Sequence, residues 1–134
     1  MLMHRYGQVF DADLASASPT YTDGDWHPAS LDHGGNVLQL YYKTTVTDPT
    51  QVQAKVEFRL PSAAEAPAIP QINSVSGGII DVDDAVFELP DDLDVWHAFP
   101  PIPINAGYEW RVRFTRVGGG SGTHIECHGD LHKV

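Results

Sequence analysis

QVQAKVEFRL, residues 51–60, alternates without a break: Val52, Ala54, Val56, Phe58 and Leu60 stand against Gln51, Gln53, Lys55, Glu57 and Arg59. Successive side chains of an extended chain point to opposite faces, so this period of two predicts a strand with one buried and one wet face. Upstream, NVLQLYYKTTVT (36–47) places Leu38, Leu40, Tyr42, Thr44 and Val46 on one side, and Asp48-Pro49-Thr50 between the two stretches is turn chemistry. The two stretches together predict a hairpin.

YEWRVRFTRV (108–117) repeats the pattern, with Tyr108, Trp110, Val112 and Phe114 against Glu109, Arg111, Arg113 and Thr115. GGGSG (118–122) then leads into THIECHGDLHKV (123–134), which predicts a second hairpin. Pairing apolar with apolar across its ladder sets Phe114 opposite Ile125 and Val112 opposite Cys127. The same register sets Arg113 opposite Glu126, Arg111 opposite His128 and Thr115 opposite His124.

Shorter strand candidates are GQVFD near the start, 78–82, AVFEL (85–89), DVWHAF (94–99) and IPIN (102–105). The nearest approach to a helical stretch, PSAAEAPAIP (61–70), is interrupted by Pro67 and Pro70 and reads as linker or turn. The expected fold is all-β: an antiparallel β-sandwich or jelly roll of about seven or eight strands. It forms one domain over residues 1–134, with an extended N-terminal segment 1–15 and a Pro-rich loop 61–72.

A formal charge of −10 and a pI near 4.8 argue against nucleic acid, whose phosphates need clustered Lys and Arg. One cysteine allows no internal disulfide, and no stretch approaches the roughly 18 apolar residues of a membrane helix. MLMHRYGQVFDADLAS has no apolar run of the kind a secretion signal carries, so no export is expected.

His124, Glu126 and His128 share one face of the last strand. They are a candidate two-histidine, one-carboxylate metal set, with His132 as a fourth ligand. The competing reading is a wet face on which Glu126 answers Arg113 as a cross-strand ion pair, and the hairpin register favours it. Asp81, Asp83 and Asp84, or Asp23 and Asp25, carry the hard oxygens calcium prefers but lack EF-hand spacing, so a solvated acidic loop is the simpler reading. Cys127 falls on the Ile125 face and reads as a small core residue. The chain contains no G-x-S-x-G, H-E-x-x-H or P-loop sequence, and neither an enzyme nor a cofactor is expected. Among the aromatics, Trp26 and Tyr41 are the candidates for an exposed sugar-stacking pair, since Tyr42 and Trp110 fall on core faces.

The run NVLQLYYKTTVTDPTQVQAKVEFRLP, and INAGYEWRVRFTRVGGGSGT leading into a final strand, resemble the sandwich modules of small accessory virion proteins of tailed bacteriophages. The resemblance covers most of the chain and rests on texture rather than on a motif. It implies a structural role: attachment to a capsid or other virion protein, on the head more than the tail, as a symmetric homo-oligomer assembled in the host cytoplasm. Under it, the Pro-rich stretches 61–73 and 98–105 and the N-terminal dozen residues would serve as arms laid across neighbours; the competing and simpler reading of the Pro-rich stretches is long sandwich loops. A carbohydrate-binding module using Trp26 and Tyr41, and a cupin-like metal enzyme using His124, Glu126 and His128, are the alternatives.

Overall fold

Alternation in the sequence becomes burial along most of the strands at 35–45, 51–59, 109–117 and 124–133 in the computed structural model, which describes residues 3–29, 35–46, 51–59, 69–70, 86–90, 92–105, 108–118 and 122–133. These residues form β1 (Met3–Asp13), β2 (Thr22–Asp23), β3 (His27–Pro28), β4 (Gly35–Thr45), β5 (Gln51–Arg59), β6 (Ile69–Pro70), β7 (Phe87–Leu89), β8 (Trp96–Ala98), β9 (Ile102–Asn105), β10 (Glu109–Val117) and β11 (His124–Lys133). The described residues contain no helix.

Two antiparallel sheets result. The first runs β1-β11-β4, with β8 and β9 both flanking β4. The second has β10 beside β5, with β2 and β3 flanking β10 and β6 and β7 flanking β5. Counting each flanking couple as one broken strand leaves eight positions, and their pairings nest: first with last, second with seventh, third with sixth, fourth with fifth. A long antiparallel ribbon rolled on itself produces that nesting, and the further pairs β11–β4 and β10–β5 close the two sheets. This is the jelly-roll form of the sandwich.

The expected hairpins are corrected by this topology. β4 pairs with β11 and β5 pairs with β10, so each predicted hairpin is a crossing between sheets. Ile125 stands opposite Thr44 and Ala12, not Phe114, and Glu126 stands opposite Lys43 and Asp11, not Arg113. The physical reason is that alternation fixes which face meets the core but not which strand is the ladder neighbour. Phe114 and Ile125 are both fully buried, from opposite sheets.

Aromatic rings fill the space between the sheets. Phe114 of β10 lies 4.8 Å from Phe10 of β1 and 6.0 Å from both Tyr42 of β4 and Phe99, ring centre to ring centre. Phe87 of β7 joins Phe99 at 5.4 Å. Such edge and tilted pairs contribute about 0.5–1.5 kcal/mol each beyond the area they bury. The Tyr42 hydroxyl, deep in this cluster, donates to the Pro90 carbonyl.

Two of the expected arms belong to the sandwich. Met3–Asp13 is β1, paired along its length with β11, and 102–105 is β9, paired with β4 through buried Ile102 and Ile104. Of the Pro-rich loop 61–72, only Ile69–Pro70 is described, as β6. Asp81, Asp83 and Asp84 and the strand candidate at 78–82 lie outside the described residues.

The sheet edges are blunted against further pairing. β1 carries two register shifts, between Arg5 and Gly7 and between Gln8 and Phe10, with Gly7 at φ 73° in the left-handed region glycine tolerates. Pro28, Pro70 and Pro103 stand in β3, β6 and β9 and supply no N–H to an incoming strand.

Candidate functional site

Outward residues of the first sheet form a grid that the register defines. One row is Gln8, His128, Tyr41 and Ala98; the next is Asp11, Glu126, Lys43 and Trp96; the third is Asp13, His124 and Thr45. His124, Glu126 and His128 therefore do share the solvent face of β11, while Ile125 and Cys127 between them are fully buried.

The three candidate ligands do not converge. Each ring nitrogen of His124 faces a β1 carboxylate, Nδ1 2.6 Å from Asp13 Oδ1 and Nε2 2.5 Å from Asp11 Oδ1. Two N–H donors are needed to satisfy both, so the site favours the imidazolium. Its pKa is raised: the bond to Asp13 is the largest cause, burial opposes it, and the bond to Asp11 with the charges of both carboxylates adds to the rise. His128 turns to Glu126 instead, Nε2 3.0 Å from Oε1. Among the described residues no three His, Cys, Asp or Glu side chains are grouped to hold a metal.

Trp26 and Tyr41 are likewise separated. Tyr41 lies on the outer face of the first sheet, 38% exposed. Trp26 lies on the outer face of the second, where the Arg111 guanidinium sits 4.7 Å from its ring centre. Another exposed aromatic on the Tyr41 face is Trp96, 47% exposed, which stands opposite Lys43 and so diagonal to Tyr41 in the β4–β8 register.

β8 places Trp96 there by inverting the usual pattern. Ala98 and Trp96 face solvent, while His97 stands opposite Tyr42 on the inner side, its ring 5.5 Å from the Tyr42 ring. The strand is pinned at both ends: Asp94, at φ 59°, donates its N–H to Thr44 O at 2.8 Å, and Phe99 donates to Leu40 O at 2.9 Å. From β8 the indole reaches past β4 to the His128 ring on β11, 5.3 Å away and edge to face, while Lys43 Nζ lies 5.1 Å from its centre. Trp96 thus lies across β4, between Tyr41 and Lys43.

The outer face of the second sheet is a closed electrostatic lattice. Glu57, only 6% exposed, accepts from Arg111 (Nε 2.9 Å, Nη2 2.8 Å) and Arg113 (Nη1 3.3 Å). Asp23 takes Arg113 Nε at 2.5 Å and Arg111 Nη1 at 3.5 Å. Asp23 is therefore committed to arginines rather than poised for calcium. Lys55 and Arg113 lie over the Tyr21 ring at 4.8 and 5.3 Å.

A cleft of about 380 Å³ opens between β1 and the β2–β3 segment, lined by Gln8–Ala12, Asp23, Gly24, Asp25 and His27. The His27 pKa is lowered, mainly by burial, and its Nε2 is enclosed without a hydrogen-bond partner. Cys127 is sealed in the core, and burial pushes its thiol far above the usual range, which removes it as a nucleophile.

Sequence reasoning did not single out Trp96 or Glu57. The signal for Trp96 was present: in DVWHAF the two-residue period of side chains points His97, not Trp96, inward once Phe99 is assigned to the core. Glu57 had no such signal, because a period of two assigns it to the wet face, where Arg111 and Arg113 engage it. Comparison with protein-family models, curated proteins and solved structures finds no match. Among the described residues no helix is long and apolar enough to cross a membrane.

Proposed function

We propose that this chain is a non-enzymatic structural protein, an accessory component of a phage particle that decorates the head surface. The observation that carries this reading is the nested strand order, because the jelly roll recurs in viral capsid domains. The support is architectural, by analogy of fold.

Two further features agree with it. The candidate polar side chains are satisfied by one another, His124 by Asp11 and Asp13 and Glu57 by two arginines, as in a scaffold rather than a reaction centre. The blunted edges leave faces and loops as the contact surfaces, so copies meet without adding strands to one another's sheets.

Sedimentation of recombinant protein with assembled heads that lack it tests the reading. Saturable co-sedimentation, with a homo-oligomer by light scattering, is expected; a monomer that stays in the supernatant at every head concentration overturns it.

A further inference from the structure

Trp96 is held outside the core at a cost the sequence had no need to bear. Exchanging the roles of Trp96 and His97 would bury an indole against Tyr42 and release an imidazole to water. Instead His97 is turned inward, its Nε2 shielded from solvent with Asp92 Oδ2 as far off as 3.6 Å. Local inversions of pattern concentrate at functional positions.

The surroundings of the indole define what it can meet. It is bracketed by Lys43 and His128, and His128 is itself held by Glu126, so its orientation is set before anything binds. Tyr41 lies diagonal to it in the β4–β8 register, opposite Ala98. An apolar protein partner would strip water from the Lys43 ammonium and from the His128–Glu126 pair without replacing its hydrogen bonds. A polyanion would meet the −10 charge of the chain and, on this face, Asp11, Asp13, Glu126 and Asp130. A neutral polyol satisfies both constraints, with its C–H face on the indole and its hydroxyls paired to His128, Glu126 and Lys43.

We infer that the outer face of the first sheet binds a neutral saccharide, stacked on Trp96 beside Tyr41, with Glu126, His128 and Lys43 as hydrogen-bonding groups. This activity is separate from attachment to a particle and stands or falls on its own test.

Fluorescence titration and calorimetry of the full chain with maltohexaose, cellohexaose, xylohexaose and N-acetylchitohexaose provide that test, with heparin as a polyanion control. Saturable quenching by at least one neutral oligosaccharide is expected, weakened at least tenfold in Trp96→Ala, partly restored in Trp96→Tyr and unchanged in Trp26→Ala. Circular dichroism confirms that each variant is folded. Absence of binding by all four neutral sugars, binding of heparin alone, or full binding by folded Trp96→Ala overturns the inference.

Discussion

His124 and Asp13 stand directly opposite one another on β11 and β1, with Nδ1 2.6 Å from Oδ1, and Asp11 closes on the other ring nitrogen. Because the folded state raises the His124 pKa, the clasp stabilises the fold fully below the unfolded value near 6.5. That contribution is lost as pH rises through the folded pKa. The carboxylates are more than half exposed, so the effect is about 1 kcal/mol or less. Urea midpoints should separate wild type from His124→Gln more at pH 5.5 than at pH 8.5; an equal gap at both would refute the clasp.

Glu57 neutralises two arginines from a nearly buried position. Glu57→Ala leaves Arg111 and Arg113 sharing Asp23 among the described carboxylates and should cost roughly 2–4 kcal/mol, near the value for breaking a buried pair. Asp23→Ala, removing the more exposed acid, should cost less. Denaturant unfolding of the two variants checks the order.

Glycine at positions 24 and 129 is required for different reasons. A Cβ at Gly24 would lie 2.8 Å from Val112 O and 3.1 Å from Val9 O, both backbone atoms that move only with their strands. At Gly129 it would meet side chains, Leu40 Cδ2 at 3.0 Å and Trp110 at 3.4 Å. Gly129→Ala should cost about 1–3 kcal/mol as core overpacking, and Gly24→Ala more. Thermal unfolding ranks them, and equal melting points would contradict the packing described.

Cys127 should be silent to thiol reagents in the native protein, since it is enclosed and its thiol resists ionisation. Labelling by a disulfide-exchange reagent should appear only across the denaturant transition. Rapid modification of the folded protein would place Cys127 elsewhere.

The sandwich was legible in the sequence because burial faces obey local chemistry. Leu38, Leu40 and Tyr42 of β4, Val52, Ala54 and Val56 of β5, and Trp110, Val112 and Phe114 of β10 are all buried as their alternation requires. Strand partners were not legible, because an ordinary hairpin and a crossing between sheets bury the same residues. The metal-like triplet on β11 shows the consequence: its spacing was read correctly, but Asp11 and Asp13, which engage His124, come from more than a hundred residues upstream. The placing of Trp96 on the same face as Tyr41 was not legible because pairing of β4 with β8 depends on the same long-range topology.

Mass spectrometry of gradient-purified phage particles assembled in cells that express the chain tests the proposed role most directly. The account predicts this protein in the particle fraction at a fixed stoichiometry to the major capsid protein, retained through washing in physiological salt. Its absence from intact particles, with the protein recovered only as free monomer in the lysate, would contradict it.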